Sequence, residues 1–527
     1  MTRKRAQFSP RVISQMIILA ICRFAEPVAM TSVTPYLYYM IAHFGVPQEE
    51  IAKYVGITFA SFSFCQFFTG IWWGRASDKF GRKPMVMLGL SGTLLSLMVF
   101  GFSTNIKMAI AARCFSGLVN GNVGIVRTMI AEMVPEKELQ PRAFSLMPLI
   151  WTTGSIIGPV LGGFLADPIT NHPGWFSGEP PAFFKKFPFA LPNIVASMFF
   201  VIGLTTGILF LDETIETMRD KPDVGRRFGG KIIKYFKSRS HHRKDIADET
   251  TSLLQSESSS VLDEEISAAQ RQQASKPQSA PPIRDAFTFQ SSINLLVYCL
   301  LALHSITFDQ MLPVLMAYPP EDPENRFLPF KFAGGFGMSS SQVGFFFSIY
   351  GVIGMVMQIF IFPPITNRLG ALRCLIISSF AFPVIYFLTP FAVILPEKLQ
   401  QPAIFALLMV KSMAGIFAFP CSTILLTNSS PTLRLLGTLN GIAVTLAAMG
   451  RAVGPAVGGL IFSLGQRIGY LILPWWVLSL ATFLGALPAL LLVEGEGFAG
   501  DKKKTAATVE EGEREEGEGE TEGPVLK

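Results

Sequence analysis

About twelve apolar segments, each long enough to cross a bilayer, constrain this chain more than any other feature. A membrane-spanning helix needs about 20 mostly apolar residues. The segments run near 12–42, 51–73, 84–103, 106–132, 143–166 and 190–211, and then near 291–317, 340–362, 370–392, 402–427, 435–463 and 470–493. Backbone polar groups must pair internally in lipid, so we expect an all-α integral membrane protein.

The composition agrees with this expectation and excludes several other classes. The 527 residues are 50% hydrophobic and only 16% charged, with a mean hydropathy of +0.42, whereas soluble proteins carry about 25% charge. The net charge of +6 arises in short connecting segments, where it indicates membrane orientation and not nucleic-acid binding. The six cysteines are scattered along apolar runs, so we predict no disulfide framework, metal site or cofactor.

Polar stretches divide the chain into five parts. We predict a cytoplasmic N-terminus (1–11), a six-helix bundle (12–211), a linker (212–290), a second six-helix bundle (291–493) and an acidic tail (494–527). The linker and tail have few large apolar residues, so we expect them to be disordered. Lys and Arg concentrate in connections on one side of the alternating helices. The positive-inside rule makes that side, with both termini, cytoplasmic.

A ten-residue pattern, G-x-x-x-G-P-x-x-G-G, occurs once in each half, roughly 300 residues apart. It indicates a duplicated bundle with two pseudo-symmetric halves, the way many secondary transporters are built. The glycines fall on one helical face and suit close packing, and the proline removes one backbone hydrogen bond. The pattern comprises Gly154, Gly158, Pro159, Gly162 and Gly163, and then Gly450, Gly454, Pro455, Gly458 and Gly459.

The connection between the second and third spans carries closely spaced glycines and charges. These residues are Gly74, Asp78, Lys79, Gly81, Arg82 and Lys83. We expect Gly74 to permit close helix approach. We expect Asp78, with Glu132 at the end of the fourth span, to hold a charged network that biases two states. A simple positive-inside stop signal is the alternative. The second half has a weaker copy in which Asn367 replaces the acid.

Charged residues inside the spans are the best candidates for proton and substrate chemistry, because such residues are costly in lipid and face a cavity or partner. Arg23 and Glu26 are three residues apart and can meet on one helix face. Asp309 and His304 lie in the corresponding seventh span. Buried carboxylates can exchange protons at functional sites. Arg113 in the fourth span is a candidate for charge balance, with a structural ion pair as the alternative.

These motifs together resemble the major facilitator superfamily over residues 12–493. The 74–83 connection resembles its loop motif, and Arg113, Gly117 and Gly121 resemble its fourth-helix motif. The first span, with Cys22, Arg23, Glu26 and Pro27, is most similar to the zinc-induced facilitator-like branch and its fungal relatives. That branch groups with drug–proton antiporters, in which the fifth-span pattern packs tightly and limits leak.

The resemblance implies a proton-coupled antiporter that moves a small molecule or ion by alternating access. Multidrug resistance is an associated function. A uniporter or symporter of the same fold stays open, as does a membrane sensor that does not transport. No paired nucleophile and base or phosphate-cradling loop is visible, so we do not expect an enzyme. Glu249, Leu253 and Leu254 resemble an acidic dileucine signal read by sorting adaptors, which suggests a vacuolar or lysosome-like membrane. The plasma membrane is the alternative.

Overall fold

The computed structural model describes residues 8–134, 146–176, 178–215, 287–321, 330–429 and 433–494, together with a few single positions between these stretches (139, 143, 218, 225, 226, 228–230 and 284). Within them, eleven helices are long and apolar enough to cross a membrane, and a shorter apolar helix, Leu149–Leu165, completes the set. The prediction of an all-α membrane protein with twelve spans is therefore confirmed.

Six spans form the N-terminal half. They are the first span Pro10–Ser32, the second Ile51–Phe80, the third Arg82–Gly101, the fourth in two pieces (Ile106–Val119 and Asn122–Met133), the fifth Leu146–Leu165 and the sixth Ala190–Phe210. Short helices Leu37–His43, Pro168–Asn171 and Ala182–Lys186 connect them on one side. The first span begins at the cap Ser9, whose hydroxyl accepts from the Val12 N–H at 3.3 Å, and at Pro10, a residue favoured in the first helical turn.

The C-terminal half repeats the arrangement. Its spans are the seventh Phe289–Ala317, the eighth Ser340–Phe360, the ninth Ala371–Leu388, the tenth Glu397–Asn428, the eleventh Leu433–Arg467 and the twelfth Ile472–Ala486. Thr288 and Ser339 start the seventh and eighth spans with capping boxes. Gly81 (φ 103°) and Gly370 (φ 83°) stand at equivalent turns after the second span and after Phe362–Leu369. Glycine adopts these left-handed conformations without strain.

The two halves touch at one end of the bundle, the end opposite the 74–83 connection. We call that end the far side and the end with the 74–83 connection the loop side. On the far side, the Lys53 N–H donates to Ser463 Oγ at 3.0 Å, and Asn171 donates to Ser340 Oγ at 3.1 Å. Arg467 pairs there with Glu49 and Glu50. Among the described residues, no hydrogen bond joins the halves on the loop side, so the far side is the closed one.

Candidate functional site

Glu26 is the most buried carboxylate of the spans, with 1% of the residue exposed. It forms an ion pair with Arg23, one helical turn earlier. Asn122 donates from Nδ2 to Glu26 Oε1 at 2.7 Å. Asn122 reaches this position because the fourth span breaks after Val119 and restarts at residue 122. The carboxylate is thus held by one cation and one amide, and both hold it inside the N-terminal half.

Arg113 lies near this carboxylate but is not paired with it. Its guanidinium lies over the rings of Phe100 and Phe59, with centroid distances of 4.6 and 5.7 Å. Its Nε and Nη2 atoms are buried and find no hydrogen-bond partner among the described residues. A cavity of about 20 Å³ is lined by both Glu26 and Arg113. A space of that size accommodates about one water molecule.

The C-terminal half holds its charges differently. Asp309 accepts from Lys411 Nζ at 2.5 Å, and Lys411 is buried in the tenth span. His304 is also buried, but its Nδ1 lies 3.0 Å from the Tyr386 hydroxyl. No described hydrogen bond connects His304 with Asp309. The structure therefore brings one of the two predicted seventh-span residues into a charged pair and directs the other towards an aromatic cluster.

Arg82 is the centre of the predicted loop network. It is buried, and its Nη2 atom lies 2.6 Å from Asp78 and 3.2 Å from Glu132. Its Nη1 atom also donates to Ser77 Oγ at 2.5 Å. One guanidinium thereby joins the second, third and fourth spans, as the sequence predicts for Asp78 and Glu132.

The other residues of this connection have separate positions. Lys83 donates from Nζ to the Ile208 carbonyl at 2.9 Å and so ties the third span to the sixth. Lys79 lies over the Phe80 ring, 5.5 Å from its centroid. The close helix approach expected at Gly74 is not seen: no described heavy atom lies within 4 Å of the position that its Cβ would take. Gly74 borders open space because the halves are apart on the loop side.

Two carboxylates cap the third and ninth spans, the helices that follow the 74–83 connection and its copy in the C-terminal half. Glu213, just after the sixth span, accepts from the Arg82 and Lys83 N–H groups at 3.0 and 3.1 Å. Glu494, after the twelfth span, accepts from the Ala371 N–H at 3.0 Å. Both bind at a helix N-terminus, where free N–H groups favour negative charge. Glu213 lies within the predicted linker 212–290, yet it is held against the N-terminal bundle.

The glycines of the fifth span divide into two groups by the helix they contact. An added Cβ at Gly154, Gly158 or Gly162 would collide with the first span, between Pro27 and Ser32. Pro159 lies inside the helix and does not end it. Gly163 faces the other way, and its Cβ would lie 2.9 Å from Gly344 Cα in the eighth span. Three glycines therefore pack within one half, and the fourth contacts the other half.

The eleventh span repeats this division. Gly450, Gly454 and Gly458 pack against the seventh span from Cys299 to Met311. Gly459 crosses to the second span, where its Cβ would lie 3.2 Å from Gly56 Cα. Pro455 likewise lies within the helix and faces Gly56 through its carbonyl group. The duplicated pattern thus has a duplicated use, packing inside a half and sealing between halves on the far side.

The sequence analysis did not identify three residues that contact the candidate site and the loop network. Asn122 is a neutral amide within an apolar run, which carries no charge signal. Lys411 is a cation within an apolar run, and its pairing with Asp309 joins residues 102 positions apart. Glu213 was assigned to the polar linker. The recurrence of Glu494 after the last span is the signal that could have identified it.

Comparison with known proteins agrees with this architecture. The family model for the Major Facilitator Superfamily matches residues 19–319 and 295–518. The chain is 38% identical over 518 residues to the Aspergillus fumigatus "Major facilitator superfamily multidrug transporter mfsB", covering 93% of this chain and 85% of that protein. It is 28% identical to the Arabidopsis thaliana "Protein ZINC INDUCED FACILITATOR 1" over 451 residues, 83% of this chain and 82% of that protein.

A solved structure shares the fold at lower sequence identity. A D-xylose-proton symporter superposes with a TM-score of 0.60 and 12% identity, covering 92% of this chain and 99% of that one. Two six-helix halves with buried charges at their centres define a membrane transporter. The chain belongs to the Major Facilitator Superfamily, and its predicted resemblance to the zinc-induced facilitator-like branch and fungal relatives is confirmed.

Proposed function

We propose that this transporter is a proton-coupled antiporter that moves a small molecule out of the cytoplasm, across the cell surface or into an acidic organelle. Glu26 carries the proposal. A carboxylate buried inside a membrane bundle is costly and marks an ion or proton pathway. This one borders a small cavity that it shares with Arg113 inside the N-terminal half, so the charge of Glu26 and the content of that cavity influence each other.

The arrangement supports a two-state cycle. In the described state, the halves are closed on the far side, and Arg82 holds Asp78 and Glu132 together on the loop side. Rocking of the halves about the centre would open the far side and expose the space between the halves there. Protonation of Glu26 would weaken its pairing with Arg23, and the resulting change in charge would favour one of the two states. Asp309, paired with Lys411, would serve as a second coupling group.

The relatives support export of varied solutes. The Aspergillus fumigatus relative is named a multidrug transporter. An Aspergillus niger protein, 26% identical over 487 residues and covering 90% of this chain, is named an efflux pump. A bacterial tetracycline resistance protein matches 35% of the chain. By similarity, we propose that this chain also transports solutes outward and has a role in multidrug resistance.

The test uses purified protein in liposomes with an acidic lumen and a pH-sensitive dye inside. Panels of organic cations, organic anions and metal–chelator complexes are added outside. We expect at least one panel to release protons through the native protein and not through Glu26→Gln. Glu179→Gln is the matched control, because Glu179 is an exposed carboxylate that pairs only with Lys185 in the described region. Equal proton release by native protein and Glu26→Gln would remove Glu26 from the mechanism.

A uniporter or symporter is the second candidate, and one observation favours it. Glu26 and Asp309 are both paired with cations, an arrangement that can be purely structural. In that case labelled solute enters without proton movement, or protons move with the solute and not against it. The same liposomes distinguish these outcomes.

We also propose that the loop side faces the cytoplasm, because basic residues concentrate in its connections. The dileucine-like residues Glu249, Leu253 and Leu254 lie outside the described residues. We propose that a sorting adaptor reads them and directs the protein to a vacuole-like membrane. Replacing both leucines with alanine should move a fluorescent fusion to the cell surface, and an unchanged location would contradict the proposal.

A further inference from the structure

One deeply buried cation of the N-terminal half has no carboxylate partner. Arg113 in the fourth span is 7% exposed, and its Nε and Nη2 atoms find no hydrogen-bond partner among the described residues. Glu26 borders the same cavity but is already held by Arg23 and Asn122. The two arginines and one carboxylate leave one positive charge in excess. Because a buried charge is costly unless it is paired, the balance of Arg113 needs an explanation.

The C-terminal half neutralises the corresponding cation with a side chain. In the fourth span Arg113 lies four residues before Gly117, and in the tenth span Lys411 lies four residues before Gly415. Lys411 is buried as well, but it pairs directly with Asp309 of the seventh span. The two halves thus repeat the cation and, among the described residues, do not repeat its carboxylate partner. We therefore expect a counter-ion for Arg113 that comes from outside the chain.

The surroundings of the Arg113 guanidinium leave one of its edges to bind such an ion. The rings of Phe100 and Phe59 lie over the guanidinium, with centroids at 4.6 and 5.7 Å, so its planar faces are covered. The two N–H groups that lack a partner, on Nε and Nη2, share one edge of the plane and donate in parallel. A guanidinium edge of this kind binds anions with paired, charge-assisted hydrogen bonds.

The cavity beside Arg113 supplies a third donor. Thr93, Ser96 and Ser116 line it from the third and fourth spans. Thr93 and Ser96 donate their hydroxyl hydrogens to the Gly89 and Ala112 carbonyl groups, at 2.8 and 2.6 Å. The Ser116 hydroxyl makes no hydrogen bond among the described residues, so it can donate into the cavity. Two N–H groups and one hydroxyl therefore border a space of about 20 Å³.

We propose that this cavity binds a small monovalent anion of the size of chloride, held by Arg113 and Ser116. Such an ion is little larger than the water molecule that the space accommodates. Phosphate, sulfate and the carboxylate of an organic solute are too large. Water would satisfy the N–H groups but would leave the buried charge of Arg113 unbalanced. The site lies inside one half and not between the halves, so this inference goes beyond the proposed function and does not depend on it.

Glu26 gives the site a property that a test can use. Its carboxylate borders the cavity from the first span, so its negative charge opposes the anion that Arg113 attracts. Removing that charge should tighten anion binding. General damage to the fold would weaken it, so the direction of the change distinguishes the two causes.

The test measures binding through thermal stability and does not involve transport. Purified full-length protein is held in detergent at constant ionic strength while sodium gluconate is replaced by sodium chloride. A ligand that binds the folded state raises the melting temperature in a concentration-dependent manner. We expect the melting temperature of the native protein to rise with chloride and with bromide, and not with the larger anion methanesulfonate.

Four variants assign the effect to the cavity. The chloride concentration at half of the rise should increase about tenfold or more in Arg113→Gln, the usual effect of losing a hydrogen bond to a charged group. It should also increase in Ser116→Val, which keeps the arginine and fills part of the cavity, and it should decrease in Glu26→Gln. Arg373→Gln is the matched control, because Arg373 is an exposed cation near the start of the ninth span. This variant should respond to chloride as the native protein does.

The outcomes separate this inference from the antiporter proposal. The inference is overturned if chloride does not raise the native melting temperature, since water is then the occupant, or if methanesulfonate raises it equally. A native chloride response in Arg113→Gln would overturn it as well. If Arg113→Gln does not fold, a native response in Ser116→Val has the same meaning. Weaker chloride binding by Glu26→Gln would also contradict it. Transport without proton movement would refute antiport and leave the anion site standing.

Discussion

Alanine at Gly163 should open the far side of the transporter without unfolding it. Gly163 is the glycine of the fifth span that contacts the opposite half, whereas its neighbour Gly162 packs against Ser32 in its own half. The contact of Gly163 with the eighth span is made when the far side is closed and is lost when it opens. A methyl group at this position therefore penalises the closed state selectively.

The structure gives the size of the penalty. The new Cβ would lie 2.9 Å from Gly344 Cα and closer still to the Ser340 carbonyl oxygen, whereas ordinary contacts begin near 3.4 Å. Both neighbours are backbone atoms, so neither can rotate away and the helices must separate. Overpacking of this kind costs about 1–3 kcal/mol. That range corresponds to roughly five- to 150-fold in the equilibrium between the closed and open far side.

The distance between the halves on the far side reports this equilibrium. Spin labels at Thr104 and Lys398, which are exposed on the far side of each half, allow it to be measured in a background without the native cysteines. We expect Gly163→Ala to raise the population of the long distance. Gly441→Ala is the matched control, because Gly441 is helical in the eleventh span and no described atom lies within 4 Å of its Cβ position.

Two results would refute the reasoning. One is an unchanged distance distribution in Gly163→Ala. The other is an equal change in Gly162→Ala, which should lower the melting temperature instead, because its contact with Ser32 is present in both states. The pseudo-symmetric variant Gly459→Ala should reproduce the effect of Gly163→Ala, since its Cβ would collide with Ala52 in the second span.

Two further predictions concern the charged contacts at the two ends of the bundle. Arg467→Gln should favour opening of the far side by no more than about 1 kcal/mol, because Arg467 and Glu49 are exposed to solvent and Glu50 is partly exposed. The same spin-label distance measures this opening, and an effect of Arg467→Gln that persists at high salt would contradict the prediction.

Glu213→Ala should lower thermal stability by about 1–2 kcal/mol through loss of the cap on the third span. Glu494→Ala should lower it less, because Glu494 caps one N–H group of the ninth span and not two, and equal melting temperatures for the two variants would refute the comparison.

The fold was largely predictable because its determinants are local. Segment length and hydropathy predict each span, and the repeated glycine pattern predicts the duplication. The breaks within spans were not predictable in the same way. The fourth span appears in the sequence as one apolar run, yet its helix stops at Val119 and restarts at Asn122. Gly121, between them, packs against Trp73 of the second span, a tertiary contact that hydropathy does not record.

The candidate site was predictable where its partners share a helix. Arg23 and Glu26 are neighbours by helical spacing, and their ion pair follows from that spacing. Asp309 and Lys411 meet only because the seventh and tenth spans pack together. Which neighbouring helix each glycine contacts also depends on the tertiary structure. Gly162 and Gly163 are consecutive and chemically identical, and only the positions of the first and eighth spans distinguish them.

Part of the far-side seal consists of backbone against backbone, at Gly163 with Gly344 and at Gly459 with Gly56. Such surfaces have no side chains that can adjust their rotamers, so they fit at one separation only. Closure is then an all-or-none event, and the closed separation of the helices cannot adjust to solutes of different sizes. Discrimination among solutes must therefore take place before the seal forms, within the cleft, and the same seal can serve a chemically varied set of cargoes.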